Sequence, residues 1–311
     1  MVRRVMTSVD ARLAERNIEF ASQLDEWFRA QARPLPWRAP GTTPWAVLLS
    51  EIMSQQTQVA RVIPKWQEFL ERWPTPADLA AASDAEVIRA WDRLGYPRRA
   101  VRLRALAEAI RDRHAGEVPD TVEELLALPG IGPYTAGAVA AFAFGVPAQV
   151  VDTNVRRVLA RHRFGHAEAW APSVARDTAA WNEVTHAVPA PLVVSLAQNS
   201  MEFGALVCTA RSPACERCPI VEQCAWRAEG YPAADDSLPK RKPQARYAGS
   251  LREMRGMLLA ELREHAEHSE AELRAMHTTA GTEDPRFETA LESLITDGLV
   301  VRSSKGSLQL P

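Results

Sequence analysis

Lysine is scarce in this sequence. The 311 residues include four lysines, Lys65, Lys240, Lys242 and Lys305, and none lies between residues 65 and 240. An enzyme that forms a Schiff base with its substrate needs a lysine or another amine as its nucleophile. Most of the chain therefore offers no lysine for Schiff-base chemistry, and its positive charge comes from arginine.

Secretory and membrane-spanning segments are also missing. The N-terminal region has no apolar stretch of the kind that signal peptides contain, and the longest apolar stretch, 135–151, is interrupted by Gly145 and Pro147. We therefore expect a cytoplasmic protein that does not enter a membrane. The net charge of −2 gives no general indication of nucleic-acid binding. Its distribution is uneven, because residues 250–311 carry 7 basic and 11 acidic residues.

Cysteine is confined to one short segment. The four cysteines, Cys208, Cys215, Cys218 and Cys224, are separated by six, two and five residues. A secreted disulfide-bonded protein would distribute its cysteines more widely, so the cluster indicates a metal site in a reducing compartment. Four thiolates suit either zinc or an iron–sulfur cluster. Structural zinc sites usually pair two short Cys-x2–4-Cys hooks, and this loop has only one, which favours one [4Fe–4S] cluster.

Helical periodicity dominates the first three quarters of the chain, so the predicted fold class is all-α. Pro74, Pro76 and Gly95 are interpreted as helix breakers. The predicted helices cover 10–31, 44–56, 58–72, 84–94, 98–114, 121–127, a segment that ends near 144, 153–164, 172–187 and 190–206.

The C-terminal part is predicted to form a separate small module. Residues 230–249 combine proline, glycine and a basic run, which indicates a linker. Residues 250–311 show three short helical patterns and then a two-stranded ribbon that turns at Ser303–Gly306, as in a winged helix. The expected organisation is therefore a helical region at 1–229, a linker at 230–249 and a winged-helix-like module at 250–311.

A glycine-rich turn, LPGIGPY, covers residues 128–134. Gly130 and Gly132 permit a tight turn between two helices, and the N–H groups that begin the second helix can hold a phosphate oxygen. Many helix–helix turns contain two glycines, so the pair alone is a weak signal. Together with the flanking Leu128, Pro129 and Thr135, it indicates a helix-hairpin-helix motif that would bind DNA without reading its sequence.

The hairpin, an aspartate about twenty residues later (Asp152 in VVDTNVRRVLAR) and the cysteine loop together resemble the iron–sulfur DNA glycosylases of the endonuclease III superfamily. Within that superfamily, four segments resemble the MutY-type adenine DNA glycosylases. These segments are LPWR (35–38), SEIMSQQTQV (50–59), LGY (94–96) and QNSMEFGALVC (198–208). The resemblance covers roughly residues 20–228.

The resemblance implies a helix-hairpin-helix glycosylase fold of two helical subdomains, a [4Fe–4S] cluster and a monomer that binds double-stranded DNA. It also implies hydrolysis of the N-glycosidic bond of adenine mispaired with 8-oxoguanine or guanine. Glu51 would be the catalytic acid, Asp152 the carboxylate that faces the sugar cation, and Tyr134 their helper. Further residues are implied to line the adenine pocket (Trp37, Arg38, Asn154, Gln198) or to probe and wedge the duplex (Gln56, Thr57, Leu94, Tyr96).

Each catalytic candidate also has a simpler interpretation. Glu51 could be an ordinary exposed helix glutamate, Asp152 could serve only as the N-cap of the helix at 153–164, and Tyr134 could be a core residue. Two runs of arginine, one at 98, 99, 102 and 104 and one at 156, 157, 161 and 163, could contact DNA or lie on solvated helix faces.

Two alternative functions remain open at the level of sequence. An endonuclease III-type glycosylase and lyase needs a lysine, which in that family occupies the position of Tyr134. A non-enzymatic iron–sulfur DNA-binding regulator needs neither Glu51 nor Asp152. The family's usual Nudix-like C-terminal domain is not recognisable here, and Pro97 follows Tyr96 where many relatives have a second tyrosine. The preference between 8-oxoguanine and guanine is therefore not predicted.

Overall fold

The computed structural model describes residues 8–234, 246–279 and 282–311. Much of the predicted linker, 235–245, lies outside the described residues. The described part contains fifteen α-helices: α1 (Ser8–Gln31), α2 (Pro44–Ser54), α3 (Val59–Arg72), α4 (Pro76–Ala81), α5 (Asp84–Trp91), α6 (Arg98–Arg113), α7 (Val122–Leu126), α8 (Pro133–Phe144), α9 (Thr153–Phe164), α10 (Val174–Thr185), α11 (Ala190–Leu206), α12 (Ala225–Ala228), α13 (Leu251–Glu264), α14 (Glu270–Met276) and α15 (Phe287–Thr296).

Strands are confined to two short antiparallel ribbons among the described residues. Strand β3 (Val301–Arg302) pairs with β4 (Leu308–Gln309), which confirms the predicted C-terminal ribbon. Strand β1 (Thr278–Thr279) pairs with β2 (Thr282–Glu283), and this ribbon was not predicted. No helix in the described ranges combines the length and the apolar character that crossing a bilayer requires.

Helix α4 is the main element that was not predicted from the sequence. Pro74 and Pro76 were interpreted as breakers, but Pro76 occupies the first position of the helix. A proline is favoured there because its missing N–H would have no helical partner. Thr75 and Asp78 complete a capping box, in which the Thr75 hydroxyl accepts a hydrogen bond from the Asp78 N–H.

The chain divides into two compact units. The first comprises Met1–Leu48, Asp120–Ala127 and Ile131–Lys240, and the second comprises Leu49–Pro119, Leu128–Gly130 and Arg241–Pro311. The C-terminal segment therefore clusters with the helices of Leu49–Pro119. The separate winged-helix-like module remains an expectation.

The core of the first unit forms where α11 packs against α1, α8 and α9. Phe20, Leu24 and Phe203 are fully or almost fully buried in it. A buried ion pair braces the same region, since the guanidinium of Arg156 donates two hydrogen bonds, of 2.8 and 2.6 Å, to the carboxylate of Asp177.

The core of the second unit forms where α6 packs against α4 and α5, and where α13 packs against α15. Leu103 and Leu258 are buried in these two contacts. The C-terminal segment binds the rest of its unit through polar contacts as well. The N–H of Ala85 donates to the carbonyl of Pro311, and Arg263 lies 3.3 Å from Asp92.

Candidate active site

Asp152 caps the N-terminus of α9. One carboxylate oxygen accepts hydrogen bonds from the N–H groups of Asn154 and Val155, at 2.8 and 2.7 Å, and the other accepts one from the Asn154 side chain at 2.8 Å. Burial raises the pKa of Asp152, and these hydrogen bonds oppose that shift without cancelling it. The N-cap interpretation is thus correct as a structural role. The hydrogen bonds of the cap also hold the carboxylate in one orientation.

A chain of hydrogen bonds joins Asp152 to the cysteine loop. The Oδ1 atom of Asn154 accepts a bond of 2.8 Å from Arg157. The same guanidinium donates to the carbonyl of Gly204 at 2.5 Å and to the carbonyl of Cys208 at 2.7 Å. Arg157 therefore connects the cap of α9, the end of α11 and the first cysteine.

Gly204 allows this close approach of α11 to α9. A Cβ atom at this position would lie 2.8 Å from the Cβ of Asn154, closer than carbon atoms pack. A larger residue would have to push Asn154 away, and Asn154 holds Asp152. The glycine in the segment QNSMEFGALVC is thus explained by a packing constraint next to the candidate catalytic carboxylate.

Tyr134 is the second residue of α8, which the glycine turn introduces. Its ring packs against the core of the first unit, and its hydroxyl lies 3.8 Å from the sulfur of Met201. Gly132 is the N-cap of α8 and supplies no side-chain acceptor, while Gly130 has a φ of 78°, in the left-handed region that favours glycine. The turn has the conformation that the helix-hairpin-helix prediction requires.

Arg38 is tied to a buried carboxylate on α11. It lies 3.1 Å from Glu202, and Arg33 adds a bond of 2.6 Å to the same carboxylate, whose side chain is 1% exposed. Burial raises the pKa of Glu202, but the hydrogen bonds from Arg33 and Arg38 outweigh it and lower the pKa to about 2. Trp37 and Gln198, the other predicted pocket residues of this unit, are partly buried.

Glu51 lies on α2, in the part of that helix that belongs to the second unit. Its neighbours along the chain, Ser50 and Ile52, are buried, and Glu51 itself is half-buried. This burial differs from that of an exposed surface glutamate, and the catalytic role of Glu51 stays a prediction.

The predicted duplex-probing residues come together around Arg99. This guanidinium donates to the hydroxyl of Thr57 at 2.9 Å and to the carbonyl of Gly95 at 3.0 Å. The Thr57 hydroxyl also bonds to the carbonyl of Leu94 at 3.3 Å. Burial lowers the pKa of Arg99 to about 10, and the side chain remains charged at neutral pH. The end of α2 and the turn before α6 are thereby fastened together.

Two residues next to the contacts of Arg99 have a strained backbone. Gln56 and Tyr96 have φ values of 56° and 50°, which L-residues rarely adopt. Such strain is concentrated at functional sites, where the surrounding structure compensates for it. Tyr96 is 45% exposed, whereas Leu94 is 3% exposed. The roles of these residues toward DNA stay predictions.

The four cysteines line one cavity and none forms a disulfide. Cys208 follows α11, and Cys224 is the N-cap of α12. Burial raises the pKa of the Cys208 and Cys218 thiols, and that of Cys218 rises to about 12. Metal coordination reverses such a shift by deprotonating the thiols. Four soft donors around one cavity therefore fit an iron–sulfur group.

Arg161 holds the beginning of the cysteine loop to α9. Its guanidinium donates to the carbonyls of Thr209 and Ala210, at 2.7 and 3.0 Å, and lies 3.5 Å from the sulfur of Cys208. The ring of Trp226 covers the same guanidinium, with 4.8 Å between the guanidinium carbon and the ring centroid. Arg161 is 5% exposed, so it is part of the interior.

The arginine runs thus have a role that neither sequence interpretation included. Most of these arginines bind main-chain carbonyls or carboxylates of the protein itself, namely Arg99, Arg104, Arg156, Arg157 and Arg161. Arg163 is also buried. Arg98 and Arg102 are exposed, and Arg98 lies 3.3 Å from the carboxylate of Asp297. Asn154, Arg157 and Arg161 are separated by three and four residues, which places them along one helix face. This spacing was the feature of the sequence from which their shared internal role could have been predicted.

We expect Arg157→Lys to weaken the hold on both Asn154 and the cysteine loop. A lysine ammonium has all its donors on one nitrogen atom, so it cannot replace the planar guanidinium, whose N–H groups bond to three acceptors. Purified variant should contain less iron per chain and lose it faster to a chelator. Arg211→Lys is the control, because Arg211 lies in the same loop but is exposed. Equal iron retention in the two variants would contradict this role.

We expect the Glu202 network to stabilise the fold above about pH 5 and to lose that contribution as the pH falls toward 2. The folded pKa is depressed below the value of about 4.3 that an unfolded glutamate has, so protonation favours unfolding. Glu202→Gln should lower the free energy of unfolding by about 3 kcal/mol at pH 7. In urea unfolding at pH 3.5 the difference should be smaller. A difference independent of pH, or equal to that of the exposed control Glu71→Gln, would contradict the assignment.

Comparison with known proteins agrees with this arrangement. Residues 49–183 match the HhH-GPD superfamily of base excision DNA repair proteins, and residues 208–224 match the iron–sulfur binding domain of endonuclease III. The chain resembles a solved thermostable thymine-DNA glycosylase, with a TM-score of 0.62 and 27% identity over 69% of this chain and 98% of that one. It also resembles endonuclease III in a non-covalent complex with DNA, with a TM-score of 0.59 and 26% identity over 73% of this chain and 99% of that one.

The sequence similarity extends along almost the whole chain. The chain is 49% identical over 287 residues to an adenine DNA glycosylase of Mycobacterium tuberculosis (strain CDC 1551 / Oshkosh). The matched region covers 92% of this chain and 91% of that protein. The family predicted from the sequence motifs is thereby confirmed. The chain belongs to the adenine DNA glycosylase family of the HhH-GPD superfamily of base excision DNA repair proteins.

Proposed function

We propose that this protein is a monofunctional glycosylase that removes adenine mispaired with 8-oxoguanine or guanine in double-stranded DNA. The observation that carries the proposal is the Asp152 carboxylate, oriented by three hydrogen bonds in a chain closely similar to adenine DNA glycosylases. The proposed working form is a cytoplasmic monomer that holds one [4Fe–4S] cluster through Cys208, Cys215, Cys218 and Cys224.

The first chemical requirement is protonation of the leaving base. Adenine leaves poorly as an anion, so a proton must reach the ring, and N7 is the exposed acceptor. Glu51 is the proposed acid, because it matches the acid position of the adenine DNA glycosylases that the chain resembles and is half-buried on α2. Before this step the adenosine nucleotide must leave the base stack, which costs about a few kcal/mol.

The second requirement is stabilisation of the sugar. When the bond between C1′ and the adenine nitrogen breaks, positive charge develops on C1′ and the ring oxygen. The Asp152 carboxylate is proposed to stabilise that charge or to bond covalently to C1′, as in retaining glycosidases. Water then supplies the hydroxyl on C1′, and its second proton passes to a carboxylate. Asn154 and Arg157 would keep Asp152 oriented throughout.

The absence of a suitable amine supports hydrolysis without strand cleavage. A lyase forms a Schiff base between a lysine and C1′. The corresponding family position is Tyr134, and no lysine occurs between residues 65 and 240. A phenol cannot form that imine.

Duplex DNA is the proposed partner. The first-turn N–H groups of α8, with no side-chain cap at Gly132, suit a phosphate oxygen. The similarity to endonuclease III in complex with DNA supports the same use of the fold. Gln56, Thr57, Leu94 and Tyr96 are proposed to contact the mispair, while Trp37, Arg38, Asn154 and Gln198 are proposed to line the adenine pocket.

We expect Asp152→Asn to separate catalysis from capping. Asparagine is as good an N-cap as aspartate, so the melting temperature should change little. Loss of the negative charge should lower the rate of adenine excision on the order of 10²-fold or more. The measurement is single-turnover release of adenine from duplexes that contain A opposite 8-oxoguanine, G or T, with abasic sites scored after alkali. Glu51→Gln should lose activity similarly, and Glu71→Gln should not.

Each result distinguishes the functions. Excision opposite 8-oxoguanine or G but not T, lost in both variants, supports the proposal. Strand cleavage without alkali would indicate a lyase. Tight duplex binding without release of any base would indicate a regulator, and unchanged excision by Asp152→Asn would show that the carboxylate only caps α9.

A further inference from the structure

Glu261, His265 and His268 form a group of potential metal ligands far in sequence from the cysteine loop. Each offers one donor atom, and the three atoms lie within 4.8 Å of one another. All three residues belong to the second unit, at the junction between α13 and α14. None of them has a part in the proposed excision chemistry.

The backbone fixes the spacing of this group. Glu261 lies in the last turn of α13, and its carbonyl accepts a hydrogen bond of 3.0 Å from the N–H of His265, the C-cap. The interval of four residues brings the two side chains to one face of the helix end. His268 exchanges two main-chain hydrogen bonds, of 3.0 and 2.7 Å, with Leu308 of the C-terminal ribbon.

The two imidazoles lie close together. Their ring centroids are 5.0 Å apart and their planes meet at 79°. The Nε2 atom of His268 is hidden from solvent and makes no hydrogen bond within the described residues. A hidden ring nitrogen without a partner is unfavourable, and coordination of a cation is one way to satisfy it.

We propose that Glu261, His265 and His268 bind a zinc ion. Two imidazole nitrogens and one carboxylate oxygen are a donor set that zinc prefers, with water as a fourth ligand, whereas magnesium and calcium favour sites built from oxygen alone. The surrounding segment favours a cation, because residues 250–311 carry 7 basic and 11 acidic residues.

The distances allow such a site after a small adjustment. Three atoms that lie within 4.8 Å of one another can share a central ion at no more than about 2.8 Å from each, and zinc bonds measure about 2.0–2.2 Å. His265 is exposed, so its ring can rotate inward without displacing core residues. The ion would then link the end of α13 to His268 and, through Leu308, to the C-terminal ribbon. This inference does not depend on the proposed glycosylase activity.

The test is calorimetric titration of the iron-loaded, full-length protein with zinc chloride. We expect one zinc per chain, and we expect magnesium and calcium to release no comparable heat. Glu261→Gln and His265→Ala should each weaken zinc binding at least about tenfold. The matched controls are Glu264→Gln on the same helix and His114→Gln at the C-cap of α6, and neither should change the affinity.

A second measurement distinguishes zinc binding at this site from zinc binding by the cysteines. Zinc should raise the melting temperature of the wild type but not of His265→Ala, while the iron content and the melting temperature without zinc stay the same in both. No zinc binding by the wild type would overturn the proposal. Binding that survives both Glu261→Gln and His265→Ala would also overturn it, since the ion would then occupy another part of the chain.

Discussion

The first unit depends on the hydrogen bonds that helix α9 makes at its N-terminus and along its body. Asp152 caps its N-terminus, and Arg157 and Arg161 reach from its body to the carbonyls of Cys208 and Thr209. The candidate catalytic carboxylate and the first cysteine are therefore held by one rigid element. Arg157 and Asn154 form a continuous hydrogen-bonded connection between the cysteine loop and Asp152.

Arginine suits this role in a way that lysine would not. A guanidinium presents several donors in one plane and stays charged when buried, so one side chain can satisfy several main-chain carbonyls at once. The loop between Cys208 and Cys224 contains little regular structure, and its carbonyls need such partners. Most arginines of the two runs form contacts of this kind within the protein. Arg102 is exposed, and Arg98, which is also exposed, lies 3.3 Å from the carboxylate of Asp297.

The parts of the fold that depend on local signals were predictable, and the parts that depend on distant partners were not. Helical periodicity and the glycine turn are local patterns, and each gave a correct prediction. The cysteine spacing is also local and correctly predicted an iron–sulfur binding domain, while the [4Fe–4S] type stays a proposal. Helix α4 was missed although its signal is local, because a proline that begins a helix was read as one that ends it. The role of Glu202 has no local signal at all, since its partner Arg33 is 169 residues away in the chain. The same holds for Arg157 and Cys208, which only the packing of α9 against α11 brings together.

Asp152 shows why capping and catalysis are compatible in one residue. A carboxylate at a helix N-terminus accepts N–H bonds that favour its ionised form, while burial favours the neutral form, and the balance leaves the pKa of Asp152 above its ordinary value. The bonds from Asn154 and Val155 hold the carboxylate in one orientation, so no energy is needed to reorient it when positive charge appears nearby. A surface aspartate would pair with water and lose this advantage. The N-cap interpretation and the catalytic one therefore describe the same geometry, and the hydrogen bonds that stabilise α9 are those that prepare Asp152 for its proposed reaction.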